Sequence, residues 1–171
     1  LTGPYTIMDW SFNETYPSRR DFALALAEVV HEEAVDLQKA GARYIQIDEP
    51  AFVMDLSAEE VSLIKAGYQS LSGLDREITL MTYYDSVDFI EELVSFPVSS
   101  IGLDLVRGGN NLKYIQTKGF PKNKTLIAGL VDGRNIWKNN IQDSVSKLKA
   151  LSSKVEKLVV SNAGPLYHLP I

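Results

Sequence analysis

The sequence runs to 171 residues, carries a net charge of −5 and contains no cysteine. That length can bury one ordinary hydrophobic core, and the acidic balance argues against a nucleic-acid partner, whose phosphates call for clustered Lys and Arg. Disulfides, thiolate nucleophiles and Cys-ligated zinc are excluded, and no stretch approaches the roughly 18 apolar residues of a membrane helix or reads as a secretory leader, so a cytoplasmic protein without a membrane partner is expected.

Strands and helices alternate along the chain. Residues 1–8 read as a strand interrupted by Gly3-Pro4. Residues 18–40 read as a long amphipathic helix, with Ser18 as N-cap, Asp21 three residues on, an apolar stripe of Phe22, Leu26, Val29, Val30 and Leu37, and Gly41 just past the end. A strand at 43–48 stops at Pro50. A helix over 57–71 opens with Ser57 and, three residues later, Glu60, the pattern of a capping box. A strand at 78–83, a short helix at 86–94, a strand at 101–106, a short helix near 112–117, a strand at 125–130, a helix at 141–151 and a last strand at 157–161 complete the order.

Six strands separated by helices predict an α/β fold with a parallel sheet and right-handed crossovers. No G-x-G-x-x-G turn follows the first strand, which disfavours a dinucleotide-binding fold. A β/α barrel is favoured, but a closed barrel needs eight strands. The expectation is therefore one domain over 1–171, an incomplete TIM-type barrel with about six of eight strands. Its first and last strands should not pair with each other, and another chain or segment should complete the sheet.

In such barrels the working residues stand at the C-terminal ends of the strands. That rule selects Asp9 and Trp10; Asp48 and Glu49; Thr82 with Tyr83, Tyr84 and Asp85; Asp104; Asp132 with Arg134 and Asn135; and Asn162 with His168. Adjacent carboxylates on an extended chain point to opposite sides, so one of Asp48 and Glu49 should face the mouth, where it could hold an ammonium or move a proton, and the other should pack outward. Equally, a strand-ending acid can simply bond loop amides. Asp104 could be a ligand group or half of a structural pair with Arg107. Asp132-Gly133-Arg134-Asn135 is also an ordinary turn signal, and Trp10 could stack on a flat ligand or belong to the core. His31, inside the long helix, is expected to be solvated, and neither histidine has a metal-ligand partner at zinc spacing. The substrate-binding candidates are Trp10, Asp48, Glu49, Asp104, Asp132 and Arg134, with no metal ligand and no confident catalytic residue.

Several blocks resemble cobalamin-independent methionine synthase: Leu1-Thr2-Gly3-Pro4, Asp9-Trp10-Ser11-Phe12, Ile45-Gln46-Ile47-Asp48-Glu49-Pro50-Ala51, Asp104-Leu105-Val106-Arg107-Gly108, and the long run from Ala128 to Trp137. With Thr82-Tyr83-Tyr84 and Leu166-Tyr167-His168, the chain is similar to the N-terminal of that enzyme's two related barrels, although the opening segment is more like the C-terminal, catalytic one. The resemblance implies a barrel of the methionine synthase and uroporphyrinogen decarboxylase-like kind. It also implies an enzyme that moves a methyl group from methyltetrahydrofolate polyglutamate to homocysteine, using zinc in the catalytic barrel to favour the thiolate.

Carried over by position, the family's zinc-binding His and Cys fall on Thr82 and Tyr84, its Glu on Asp104 and its last Cys on Gly164. Its proton-donating His falls near Arg134 and a folate-contacting Glu on Met54. Asp48 matches the Asp that holds the amino acid's ammonium, and Trp10 matches an aromatic at the folate site. The resemblance thus implies a module of a methionine synthase-like protein, itself without zinc or another cofactor and non-catalytic, paired with a catalytic barrel, fused or separate, or with a second copy. A standalone, metal-free methyltransferase-like enzyme and a purely structural or binding barrel are the alternatives, each compatible with a small-molecule ligand.

Overall fold

The computed structural model describes residues 1–74 and 77–169, without the side chain of His168. Five strands, β1 (Tyr44–Asp48), β2 (Glu77–Met81), β3 (Ser100–Asp104), β4 (Thr125–Val131) and β5 (Lys157–Asn162), form one parallel sheet in the order of the chain. Helices α1 (Pro4–Asp9), α2 (Arg19–Lys39), α3 (Ala58–Gln69), α4 (Ile90–Leu93), α5 (Gly109–Lys118) and α6 (Ile141–Ser152) precede, link and flank them.

The expected strand over 1–8 is the main correction, and it lowers the strand count from six to five. Only the first three residues run beside β1: the Leu1 amine donates to the Gln46 carbonyl at 2.8 Å, Asp48 N–H to Leu1 O at 2.9 Å and Gly3 N–H to Asp48 O at 2.8 Å. At Pro4 the chain turns into α1. Proline is pre-set for the first helical position, where no N–H is needed, and the next two amides find an acceptor in the Glu49 carboxylate. The pattern of residues 1–8 contains the proline but not its remote partner.

The other elements fall within a few residues of expectation. Ser18 accepts from the Asp21 amide at 3.0 Å. Ser57 and Glu60 form the reciprocal capping box that starts α3. The helix expected over 86–94 shrinks to Ile90–Leu93 because Ser86 and Val87 are tied to the start of α5 instead, through Asn110 N–H to Ser86 Oγ at 3.2 Å and Val87 N–H to Asn111 Oδ1 at 2.9 Å.

Alternation along the strands decides where the core lies. Ile45 and Ile47, Ile78 and Leu80, Ile101 and Leu103, and Leu126 and Ala128 are buried on one face. With Val30 and Ala34 from α2, Tyr68 from α3, Leu93 from α4, Ile115 from α5 and Leu151 from α6, they make one apolar cluster. β3 is buried along its whole length. The other face of β1 is open, with Tyr44 75% exposed.

β1 and β5 do not pair among the described residues, so closure into a barrel is absent from this sheet. Among the described residues β5 has a neighbour on one side only, and its two central valines, Val159 and Val160, are 48% and 53% exposed, one on each face. An edge of this kind is a template for another strand. The 171-residue chain alone is expected to sediment with an apparent mass that rises with concentration, and Val160→Lys should suppress that rise. A monomer at every concentration would show the edge to be protected as it stands.

Candidate functional site

The C-terminal ends of β1 to β4 bring Asp48, Asp104, Asp132 and Arg134 into one network. Asp48 is half-buried and accepts from Gln46 Nε2 at 2.7 Å and from the Tyr83 hydroxyl at 3.3 Å. Burial, and then the charge of Asp48, push the Tyr83 hydroxyl well above its ordinary value, so it stays a proton donor to that carboxylate. The Tyr83 and Tyr84 rings meet edge to face at 4.8 Å. The Arg134 guanidinium lies over Tyr84, 5.4 Å from its centroid, within the range of a cation–π contact. Tyr84 stands at φ 91°, a strained conformation for a bulky residue that costs about 1–3 kcal/mol and persists only where its surroundings impose it.

The surroundings do impose it. The Tyr84 amide donates to Asp104 Oδ2 at 3.2 Å, and the amides of Val106 and Arg107 both donate to Oδ1 at 2.8 Å. Asp104, 2% exposed, thus has both oxygens engaged by main chain. Of the two readings of Asp104, the structural pairing with Arg107 is seen through the main chain: Arg107 gives its amide to Asp104 and turns its guanidinium to Asp132 Oδ2 at 3.4 Å. Asp132 also accepts from the Arg134 amide at 2.9 Å and from Asn135 Nδ2 at 2.6 Å. The loops after β4 and β5 close on each other where a Cβ on Gly133 would lie 2.4 Å from the Gly164 carbonyl oxygen. Only glycine permits that approach.

Two of the six candidates lie apart. Trp10 is 68% exposed at the end of α1, and among the described residues no hydrogen bond, ion pair or ring contact joins it to the other five. Glu49 is fully buried on the opposite side of β1 from Asp48, as strand alternation requires. Its Oε1 accepts from the Tyr5 amide and the Tyr68 hydroxyl, both at 3.1 Å; its Oε2 accepts from the Thr6 amide at 2.8 Å and hydroxyl at 2.6 Å. Those four donors favour the carboxylate, but burial outweighs them and pushes its pKa up to about 7.

Tyr83 and Tyr84 are the members sequence reading left off the binding set. They connect Asp48 to Asp104, but nothing in a Thr-Tyr-Tyr string signals a positive φ. His31, expected to be solvated, is half-buried, with an Nδ1 that is buried without a partner among the described residues. His168 is a candidate whose side chain lies outside the described residues. A concavity of about 710 Å³ opens elsewhere, between the starts of α2 and α3, lined by Arg19, Arg20, Ser57, Glu59, Glu60 and Leu63. It touches none of the six candidates.

The positions that the resemblance matches to zinc ligands are Thr82, Tyr84, Asp104 and Gly164. Thr82 donates its hydroxyl to the Gly102 carbonyl at 3.0 Å, Asp104 accepts from three main-chain amides, and Gly164 has no side chain. No group of three or more His, Asp or Glu side chains among the described residues is placed to hold a metal ion. No described helix is long and apolar enough to cross a membrane.

The model of the family described as "Cobalamin-independent synthase, N-terminal domain" matches residues 1–156. Among curated relatives, the 5-methyltetrahydropteroyltriglutamate–homocysteine methyltransferase of Halalkalibacterium halodurans is 37% identical over the whole chain, and that of Bacillus licheniformis is 42% identical over the whole chain. That of Thermodesulfovibrio yellowstonii is 44% identical over 80% of it. The chain spans 23% of the length of the first two and 19% of the third. In fold it is similar to a B12-independent methionine synthase from Shewanella sp. W3-18-1, solved with selenomethionine, at a TM-score of 0.79 and 22% identity over 99% of this chain and 55% of that one.

Proposed function

The chain belongs to the family of cobalamin-independent synthase N-terminal domains, and on that premise we propose that it is a non-catalytic module of a cytoplasmic methionine synthase-like methyltransferase. In this reading the strand ends form a preorganised rim on an incomplete barrel. The rim docks against a catalytic barrel or holds the polar tail of the methyl donor, and the partner half supplies the zinc, the thiolate and the methyl transfer.

The observation that carries the reading is that two of the rim's three carboxylates, Asp104 and Asp132, are already spoken for. Asp104 receives three main-chain amides, and Asp132 is held by Arg107, Arg134 and Asn135. Groups so bound build a rigid surface and are poorly placed to shuttle protons, which requires reach to a substrate atom. The rim is also edged by exposed aromatics, Trp137 at 80% and Tyr167 at 79%, a composition that suits contact with another surface.

Asp48 favours a second function within the same reading. It is only half-buried, and its partners are neutral donors, Gln46 and Tyr83, so its negative charge is available to an ammonium group. Calorimetric titration with homocysteine, methionine and a folate polyglutamate tests both parts. Binding of at least one is expected, weakened about tenfold or more by Asp48→Asn, the usual effect of removing a charged hydrogen-bond partner. Zinc retained at about one ion per chain after dialysis, or methyl transfer to homocysteine by the chain alone, would overturn the non-catalytic reading.

A further inference from the structure

α1 has only six residues, no capping side chain of its own at Gly3, and an exposed aromatic segment at its far end, with Trp10 at 68% and Phe12 at 95% exposure. A helix this short does not hold itself together in water. Tyr5 and Met8, 3% and 1% exposed, anchor it by apolar burial, but apolar contact is non-directional and leaves rotation and register open. At the C-terminal end, the Asp9–Arg19 pair is long, 3.6 Å, and Arg19 is half exposed, so it constrains little.

Two directional restraints remain: the Tyr5 hydroxyl donates to Glu60 Oε1 of α3 at 2.9 Å, and Glu49 holds the main chain of the first turn. The Glu49 carboxylate takes the amides of Tyr5 and Thr6, the second and third residues of the helix, together with the Thr6 hydroxyl. These are amides that a helix start leaves without internal partners. Tyr68 of α3 holds the same carboxylate from the other side at 3.1 Å. The fit is tight enough that a Cβ on Gly3 would fall 2.1 Å from Glu49 Cδ.

We propose that Glu49 is a positioning residue: by clamping the first turn of α1 to the end of β1, it sets where the Trp10 to Phe12 segment stands and so what this side of the molecule presents to the catalytic partner. That segment lies apart from the strand-end rim, so its share in docking extends the role proposed above, whereas the clamp does not depend on it.

The experiment uses the whole chain at pH 7.5, with Trp137→Phe as background so that Trp10 is the only tryptophan, excited selectively over tyrosine. Hydrogen exchange at the Tyr5 and Thr6 amides is measured alongside Trp10 anisotropy. Glu49→Gln places an amide donor against these donors. It should speed exchange at the two amides by about tenfold or more, the fold-change expected from losing a hydrogen bond to a charged acceptor, and lower the anisotropy, while β2 to β4 amides keep their protection. Unchanged exchange at Tyr5 and Thr6 overturns the proposal. If Glu49→Gln loosens the whole sheet, the milder Thr6→Val, which removes the 2.6 Å hydroxyl bond to Glu49 and the 3.3 Å bond from the Ala51 amide while leaving the carboxylate in place, should produce the local effect. Its failure to do so is equally fatal. Trp10→Ala separates the two readings: it should leave both amides protected. If it also leaves binding to a catalytic barrel intact, the docking role of the segment falls and the clamp stands.

Discussion

Replacing Asp104 by alanine is expected to destabilise the fold by about 3–4 kcal/mol, a large fraction of the roughly 5–15 kcal/mol a domain possesses. The carboxylate is 2% exposed and serves three main-chain amides, those of Tyr84, Val106 and Arg107. Each donor left buried without an acceptor costs about 1–3 kcal/mol. The total stays below three full penalties because part of this turn is near the surface, where water can enter. Asp104→Asn keeps an oxygen for Val106 and Arg107 and turns an amide donor toward Tyr84, so it should cost about 1–2 kcal/mol by the same accounting. Urea denaturation of both variants checks the ranking. A loss under about 1 kcal/mol in the alanine variant, the size of one ordinary net hydrogen bond, would show that the three amides find other partners and that Asp104 does not hold the turn.

This role separates what sequence patterns convey from what they do not. Period-two alternation in Tyr44-Ile45-Gln46-Ile47 and the capping box at Ser57 and Glu60 are local signals, and both elements form where they predict. Strand ends follow from the same patterns, so Asp48, Asp104 and Asp132 could be identified as neighbours at one end of a parallel sheet. What each carboxylate does is set by partners that a local pattern does not reveal. Arg107 lies three residues from Asp104 but bonds Asp132 with its side chain, because the turn that gives its amide to Asp104 aims the guanidinium away. Glu49 and Tyr5 are 44 residues apart. Nothing local announces that meeting, and without it residues 1–8 look as much like a strand as a helix. The Gly133–Gly164 approach and the left-handed Tyr84 are likewise consequences of tertiary packing overriding local preference.

Glu49 should also write itself into the pH dependence of stability. Its pKa rises from 4.5 to about 7 on folding. Below about 4.5 the group is protonated in both folded and unfolded chains and contributes nothing. Between 4.5 and about 7 the unfolded chain releases the proton while the folded one retains it, so stability falls as pH rises. Above about 7 both are ionised and the full cost of the buried charge is felt. At about 1.4 kcal/mol per pH unit the difference comes to about 3 kcal/mol. Paired surface carboxylates act in the opposite sense. Glu60, whose pKa is lowered by the Ser57 amide, contributes stability that is lost as pH falls, so the comparison must be made against a variant. The unfolding free energy of the wild type minus that of Glu49→Gln should be lower at pH 7.5 than at pH 4.5 by about 3 kcal/mol, since glutamine has no proton to release. Urea titrations at the two pH values measure it. An equal difference at both would mean that the four donors to Glu49 balance its burial, and a difference of the opposite sign would mean that they outweigh it. In either case Glu49 would be an ordinary carboxylate at neutral pH, with no cost to holding α1 in its charged form.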